Sequence, residues 1–183
     1  EYAKDAMVFQ EGEEAIAYYQ VCQELVKMVS YNEEGKAFIQ GFFAVGESFG
    51  EPPLFGKFPY PASAITVERS MVWKLTRYNF LELLKNRFDI HLMFDEVLSK
   101  RLHYKATVLK NLSQSDPEER ILNLIDYYKA FEVIDNEPFA FKVPFTRQQL
   151  ADMSGLRVET VIRTIKNLEE SGELRIQRHK VYR

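Results

Sequence analysis

Two short amphipathic segments separated by a Ser-Gly pair constrain the fold more than any other stretch of this 183-residue chain. The first segment, TRQQLADM, begins at Thr146, a good helix cap, and places Leu150 and Ala151 on an inner face. Gly155 follows Ala151 by four residues, where a sharp turn needs a residue that tolerates a positive φ. A small residue, a turn glycine and the β-branched Val161 at this spacing let two helices cross closely, which predicts a helix-turn-helix.

The second segment, LRVETVIRTIKNL, divides into two faces. Its inner face carries Leu156, Val161, Ile165 and Leu168, and its outer face carries Arg157, Val158, Glu159, Thr160, Ile162, Arg163 and Lys166. Arginine can donate to guanine and glutamate can accept from cytosine, so the outer face suits a reader of the DNA major groove. SGELRIQRHKVYR then predicts a glycine turn and two short strands with basic residues between them, which form a wing. The alternative is an ordinary helical hairpin without a nucleic-acid role.

The distribution of charge supports a polyanionic partner for this end of the chain. Residues 142–183 hold nine Lys/Arg and five Asp/Glu, whereas residues 113–141 hold two and seven, and the whole chain has a net charge of −3. A basic end on an acidic protein favours nucleic acid, although a solvated surface also produces small surpluses.

The first 76 residues predict a small β domain. AIAYYQVCQELVKMVSY partly alternates, NEEG makes a turn, and KAFIQGFFAV resumes the alternation. GESFGEPPLFGKFPYP is a loop dense in glycine and proline, and ASAITVERSMVWKL forms one or two further strands. Short strands at roughly ten-residue spacing indicate a β-roll or barrel, not a doubly wound sheet.

From Arg77 to about Leu112 the pattern becomes helical, with apolar spacings mostly of 3, 4 and 7. A helix this long exceeds what a small β domain can cover, which favours a two-stranded dimer seam over packing on its own domain. The seam residues are predicted to be Phe94, Val97, Leu98, Leu102 and Leu109, with Val108 and Leu112 on the same pattern. Asp116 caps the next helix and Pro117 begins it, so a domain boundary is expected near 113–116.

Composition excludes several classes of protein. Apolar residues make up 46% and charged residues 28%, which are ordinary values for a globular protein. The chain has no apolar run of about 18 residues and no basic-then-apolar signal segment at its start, so we expect a cytoplasmic protein without a membrane span. The abrupt start suggests that a leading segment precedes residue 1.

The potential sensor and catalytic residues are few. Cys22 is the only cysteine, which excludes a disulfide framework or a four-cysteine cluster within the chain, and it is either a small core residue or a redox sensor. His91, His103 and His179 are scattered. His91 and His103 have two possible roles: they lie on the surface or in the seam, or they serve as ligands of haem or a metal. No nucleophile–base pair is visible, so we predict neither an enzyme nor a metal site.

Taken together, these segments resemble the Crp/Fnr family of bacterial transcription regulators over essentially the whole chain. EGEEAIAYYQVCQELVKMVSYNEEGKAFI is similar to that family's first strands, and GESFGEPPLF to the start of its cyclic-nucleotide phosphate cassette. SKRLHYKATVLKNLSQSDPEERILNLI resembles its dimer helix and hinge, and FTRQQLADMSGLRVETVIRTIKNLEESGEL its DNA-reading module, the most specific match. The resemblance implies an α+β fold with a cyclic-nucleotide-binding-like β-roll (1–76), a helical region with a dimerisation helix (77–112) and a winged helix-turn-helix (113–183).

The resemblance also implies a homodimer that binds a pseudo-palindromic operator in double-stranded DNA and contacts RNA polymerase. Glu159 and Arg163 match the family's base readers. Val158 stands where the cyclic-AMP-binding branch has arginine, and valine there is more like the Fnr branch. Ile162 stands where the Fnr branch has serine, so the exact Fnr operator does not carry over. The predicted DNA contacts are Thr146, Arg147, Gln148, Arg157, Val158, Glu159, Thr160, Arg163, Lys166, His179 and Lys180. The alternative function is a cyclic-nucleotide or small-molecule binding protein whose basic C-terminal module docks a protein partner.

The effector cassette departs from the family pattern. Phosphate cradles use backbone N–H groups and a cation, but Pro52 and Pro53 have no N–H and FPYP replaces the cassette's arginine. Lys105 and Ala106 stand where hydroxyl groups would meet the base, so we do not expect cyclic AMP to bind. No cofactor is evident, and both a ligand-independent regulator and a sensor of a less polar molecule stay open. An effector would contact Gly50, Glu51, Ala62, Ser63, Arg101 and Lys105. The family's strand-turn glycine is replaced by Gln23 or Glu24.

Overall fold

A computed structural model describes residues 1–113, 116–130 and 137–183. They divide into two compact units, Glu1–Asp95 and Glu96–Arg183. The division falls within the long helix, whereas the boundary expected at 113–116 includes residues outside the described ranges. The side chains of Val108 and Leu112 also lie outside the described part of the chain.

The first unit is a β-roll, as predicted. Its strands are β1 (Met7–Phe9), β2 (Ala17–Gln23), β3 (Val26–Tyr31), β4 (Ala37–Phe43), β5 (Ser48–Phe49), β6 (Ser63–Thr66) and β7 (Met71–Thr76). They form two antiparallel sheets, with strand orders β1-β6-β3-β4 and β5-β2-β7. Alternation explains the packing, because Ala17, Tyr19 and Val21 of β2 are buried while the residues between them are partly exposed.

The chain passes from one sheet to the other at the corner between β2 and β3. Only Glu24 and Leu25 lie between these strands. Glu24 adopts a φ of 64°, in the left-handed region that favours glycine. Of the two residues predicted to replace a turn glycine, Gln23 and Glu24, only Glu24 has this conformation.

The glycine- and proline-rich segment contains more regular structure than the predicted loop. It holds β5 and a short helix, α1 (Pro52–Gly56), which begins with Pro52 and Pro53. The first helical positions have no intrahelical use for an N–H, so proline is tolerated there. A Pro-Pro pair therefore starts a helix here instead of excluding one.

Aromatic rings fill the interior of the β-roll. Phe9 stacks on Tyr60 with ring centroids 3.7 Å apart, and Tyr19 stacks on Phe49 at 5.4 Å. All four residues are buried. Phe42, another ring of the β domain, is buried as well, so aromatic rings share the core of this unit with aliphatic residues such as Val21, Val26 and Leu54.

Two helices follow the β-roll, α2 (Arg77–Asn86) and the 26-residue α3 (Phe88–Ser113). Thr76 caps α2 through Oγ1, which accepts from the backbone N–H of Asn79 at 3.3 Å. Phe94 of α3 lies edge-on to Phe80 at 5.2 Å and to Tyr18 at 5.6 Å. Phe94 is therefore half-buried on the β-roll's own aromatic residues, not exposed as expected, while its role in a dimer seam stays a prediction.

The second unit continues with α4 (Pro117–Lys129), α5 (Arg147–Ser154), α6 (Val158–Glu170), β8 (Arg175–Gln177) and β9 (Lys180–Tyr182). Asp116 caps α4, as predicted, by accepting from the backbone N–H of Glu118 at 2.9 Å. Ile121, Leu124 and Ile125 form the buried stripe of α4. Within the described ranges, the helices lack the combination of length and apolar character that a bilayer crossing requires.

Candidate nucleic-acid interface

The helix-turn-helix begins with a reciprocal cap on α5. Thr146 Oγ1 accepts from the Gln149 N–H at 3.1 Å, and Gln149 Oε1 accepts from the Thr146 N–H at 2.8 Å. The helix ends at Gly155, which has a φ of 67°. Leu150 and Ala151 are buried between these ends. The predicted cap, inner face and turn of the motif are therefore confirmed.

The following helix, α6, separates buried and exposed faces as its sequence predicts. Val161, Ile165 and Leu168 are no more than 2% exposed. Glu159 and Arg163 are exposed on the helix, one turn apart. Leu156, Val158 and Thr160 are half-buried, and Thr164 is buried although its polarity gave no sign of it. The charged face, defined by Glu159, Arg163 and Lys166, is open to solvent, and Arg157 is exposed at the N-cap position before the helix.

The two central side chains of the charged face do not pair with each other. Their i, i+4 spacing favours an ion pair in which Glu159 orients Arg163. Among the described residues, however, Glu159 and Arg163 form no salt bridge to one another. The expected pair is therefore absent.

Other predicted contact residues already have intramolecular partners. Gln148 Nε2 donates to Asp152 Oδ1 at 2.8 Å, and Lys166 Nζ lies 3.8 Å from Glu170 Oε1. The Lys166–Glu170 pair is exposed, and such pairs contribute little free energy, so it competes weakly with a phosphate. Arg147 is half-buried, and this burial lowers the pKa of its guanidinium.

The wing is a tight hairpin with a basic tip. Gln177 of β8 pairs with Lys180 of β9, so Arg178 and His179 alone make the turn. Both have positive φ values, 48° and 63°, in a position where hairpins prefer Asn-Gly. Both side chains are exposed, as is that of Lys180. Arg178 was not among the predicted contact residues, although the run RHK between two predicted strands places it beside His179 and Lys180.

The wing is held to α4 through Arg183. Its Nε and Nη2 donate to the two carboxylate oxygens of Asp126 at 2.8 and 3.1 Å, and Nη1 also donates to Glu173. The Arg183 carbonyl accepts from the Phe141 N–H at 3.2 Å and from Lys129 Nζ at 3.3 Å. A bidentate arginine–carboxylate pair fixes direction as well as distance, so β9 has a defined position on α4.

Helix α4 also holds the two helices of the motif. Asn167 of α6 donates from Nδ2 to Glu118 Oε1 at 3.1 Å. Arg120 donates from Nη1 to the Ser154 carbonyl at 3.4 Å, at the end of α5. These contacts place the charged face of α6 and the wing tip on one rigid support.

Helix α3 carries apolar side chains that are not covered within the described chain. Leu102 and Leu109 are 71% and 67% exposed, Val97 is 38% exposed, and Leu98 is half-buried. Three further exposed residues, Phe88, Leu92 and Met93, were not predicted. They extend the exposed apolar side chains toward the start of the helix, before Phe94, which is the first of the predicted seam residues.

Comparisons with known proteins cover both units. Residues 1–87 match the family described as Cyclic nucleotide-binding domain, and residues 119–182 match the Crp-like helix-turn-helix domain. The chain belongs to the Crp/Fnr family. The predicted fold class, family and DNA-binding regulatory function are thereby confirmed.

Individual Crp/Fnr relatives match over nearly the full chain. The cAMP-activated global transcriptional regulator CRP of Haemophilus influenzae is 26% identical over 173 residues, covering 93% of this chain and 77% of that protein. The fumarate and nitrate reduction regulatory protein of Salmonella typhi is 25% identical over 175 residues, covering 95% and 70%.

Solved structures support the same fold. FixK2 from Bradyrhizobium japonicum superposes with a TM-score of 0.80 at 21% identity, covering 99% of this chain and 89% of that one. The c-di-GMP responsive regulator CLP from Xanthomonas campestris superposes with a TM-score of 0.77 at 24% identity, covering 99% and 90%.

The effector residues assigned by the Crp/Fnr resemblance are mostly buried. Gly50 has a φ of 82°, and a Cβ there would lie 3.2 Å from the Tyr19 ring. Glu51 is fully buried, with Oε1 accepting from the Ser48 hydroxyl at 3.4 Å. Ala62 and Ser63 are buried too, and the Ser63 hydroxyl accepts from the Glu11 N–H at 2.9 Å.

This region does not fit the donor set of a phosphate cradle. Pro52 and Pro53 occupy the start of α1, where N–H groups would be needed. Tyr60, from the FPYP segment that replaces the arginine, donates its hydroxyl to the Ala17 carbonyl at 3.0 Å. Arg101 and Lys105 belong to the other compact unit.

The remaining sensor candidates are not grouped. Cys22 is half-buried and its Sγ lies 3.7 Å from the Gln20 carbonyl, so it is not the core residue that was expected. His91 lies 3.9 Å from Asp95. Among the residues that the structure describes, no group of three or more His, Cys, Asp or Glu could hold a metal.

Proposed function

We propose that this Crp/Fnr regulator acts in the cytoplasm as a homodimer, without catalytic activity, and reads a pseudo-palindromic operator with α6 and the wing. The observation that carries the proposal is the charged face of α6, which is exposed directly opposite the buried stripe that anchors the helix. A bound regulator of this kind is expected to contact RNA polymerase.

Arg163 and Glu159 are the proposed base readers. They are four residues apart, so their backbones are separated by about 6 Å along the helix and both side chains can enter one major groove. Arg163 would donate to guanine O6 and N7, and Glu159 would accept from cytosine N4. Since neither is tied to the other in the described structure, each is available to a different base pair.

The wing tip and the ends of the motif are the proposed phosphate contacts. Arg178, His179 and Lys180 are exposed on the wing, and Arg157 is exposed at the start of α6. Phosphate contacts fix the position of a protein on DNA without reading sequence. Removing one of these cations should therefore weaken binding to all sequences alike.

The dimer contact is proposed to run along α3. Leu102 and Leu109 are large apolar side chains left exposed at a seven-residue interval, as in a two-stranded seam. A second copy would remove them from water. In the dimer the two copies of α6 should reach half-sites about 34 Å apart, one DNA turn.

Binding-site selection from a randomised DNA library tests the base-reading role. The wild-type protein should select an inverted repeat, and Arg163→Ala should lose preference at one guanine per half-site by about 1–3 kcal/mol. Lys166→Ala, from the same face, is the matched control and should keep the selected sequence. An unchanged preference at every position for Arg163→Ala would show that Arg163 reads no base.

Mobility shifts across a range of salt concentrations test DNA recognition more broadly. Specific binding to one promoter fragment supports the proposal, and Lys180→Ala should lower the salt slope by about one unit. Equal binding to all fragments, or none, would instead favour a module that docks a protein partner.

A further inference from the structure

Two tyrosine rings join the long helix to the DNA-reading module. Tyr104 of α3 stacks on Tyr127 of α4, with ring centroids 3.4 Å apart and an interplanar angle of 17°. Both residues belong to the unit Glu96–Arg183. Burial raises the pKa of the Tyr104 hydroxyl, which further favours the neutral form that tyrosine already has at physiological pH.

The aromatic contacts continue from this pair to both ends of α5. Tyr127 lies edge-on to Tyr128 at 5.2 Å, and Tyr128 lies edge-on to Phe145 at 4.6 Å. The Tyr128 hydroxyl donates to Met153 Sδ at 3.9 Å. Phe145 precedes the cap of α5 and Met153 lies in its last turn, so α5 is held by this series of rings at its start and at its end.

We propose that Tyr104 and Tyr127 are positioning residues that fix the direction in which α3 presents the DNA-reading module, and thereby the half-site spacing that the protein accepts. The inference rests on the proposed homodimer and its two-part operator. It adds a determinant of specificity that touches no DNA.

The dimensions of α4 show why this contact matters. The helix has 13 residues and is therefore about 20 Å long. If α4 rotated by roughly 15° about its contact with Tyr104, any part of the module at a distance of about 20 Å from that contact would be displaced by about 5 Å. This displacement exceeds the 3.4 Å step between base pairs in DNA. A stacked ring pair restricts such a rotation because both rings are rigid planes with few rotatable bonds.

The experiment measures affinity for a set of operators that share the selected half-sites and differ only in central spacing. The wild-type dimer is expected to bind its preferred spacing at least tenfold more tightly than spacings changed by one base pair, equivalent to about 1.4 kcal/mol. Tyr104→Leu should bind the preferred spacing and the spacings one base pair shorter and longer with affinities that agree within about twofold. It should keep the wild-type preference for bases in each half-site. Tyr104→Phe, which retains the ring, should behave as the wild type.

A control and a second variant keep the result interpretable. Tyr78→Leu replaces an exposed tyrosine on α2 and should leave spacing discrimination unchanged. Sedimentation and circular dichroism identify any variant that has lost its dimer or its fold. If Tyr104→Leu is such a variant, Tyr127→Leu carries the test, because it lies outside the dimer helix.

The outcomes separate this inference from the proposed function. Full spacing discrimination in a folded, dimeric leucine variant would overturn the positioning role and leave the operator proposal intact. A wild-type protein that selects no two-part operator would overturn both. Loss of spacing discrimination with unchanged base preference supports the inference. A general loss of folding would instead weaken spacing discrimination and base preference together.

Discussion

The turn of the helix-turn-helix provides a perturbation whose cost can be worked out from the backbone. Gly155 has a φ of 67°, and a Cβ built at this position meets no atom within 4 Å. Gly155→Ala therefore introduces no clash, and its cost is the left-handed conformation alone, about 1–2 kcal/mol. Alanine also restricts the unfolded chain more than glycine does, and this offsets about 0.4–1 kcal/mol of the cost. We therefore expect a net loss of about 1 kcal/mol in the free energy of unfolding.

Two comparison variants sharpen this prediction. Gly155→Asn should cost less than Gly155→Ala, because asparagine visits the left-handed region more readily. Gly50→Ala should cost more, because its Cβ would lie 3.2 Å from the Tyr19 ring in addition to a φ of 82°. The stability cost should therefore rise in the order Gly155→Asn, Gly155→Ala, Gly50→Ala.

Native-state hydrogen exchange is the suitable assay, since it reports the free energy of opening for each unit separately. The amides of α5 and α6 should exchange faster in Gly155→Ala by about fivefold, as expected for 1 kcal/mol. Equal costs for alanine and asparagine would refute the conformational explanation, and a loss above about 3 kcal/mol would require a contact that the turn does not have.

Three further predictions concern the dimer, the wing and the cap. Leu102→Glu should shift sedimentation from dimer to monomer without destabilising the monomer, because Leu102 is 71% exposed there. Asp126→Asn removes the charge that holds Arg183 and should weaken DNA binding several-fold in mobility shifts, with unchanged sequence preference. Thr146→Ala should cost about 1 kcal/mol in thermal unfolding, because it removes the side-chain half of a capping box.

The dimer and cap predictions each have a direct control. Lys100→Glu, a change of charge on the opposite side of the same helix, should leave the dimer intact. An unchanged dimer in Leu102→Glu would contradict the seam. Thr146→Ser keeps the capping oxygen and should retain most of the stability. A change of selected sequence in Asp126→Asn would show that the wing reads bases and does not merely hold position.

The features best predicted from the sequence are those that depend on neighbouring residues. The cap at Thr146 and the turn at Gly155 each follow from a local chemical requirement, and both were found as expected. The inner face of α6 follows from helical periodicity alone.

Features that depend on distant packing were predicted less well. Phe94 fits a dimer heptad equally well, and only the position of Tyr18 and Phe80 shows that it belongs to the β-roll. Spacing allowed Glu159 and Arg163 to pair, but side-chain conformers at an exposed surface are not determined by spacing. The helix at Pro52 was hidden because two prolines are more often read as a loop.

The corner at Glu24 leaves the protein with unused stability. A glutamate held at a φ of 64° carries a conformational cost that glycine would not. Restoring glycine there should raise the melting temperature of the β-roll, because relief of about 1–2 kcal/mol exceeds the added flexibility of the unfolded chain. Glu24 belongs to the unit Glu1–Asp95, whereas every predicted DNA contact belongs to Glu96–Arg183, so this corner offers engineers a site for added stability that carries no predicted DNA contact.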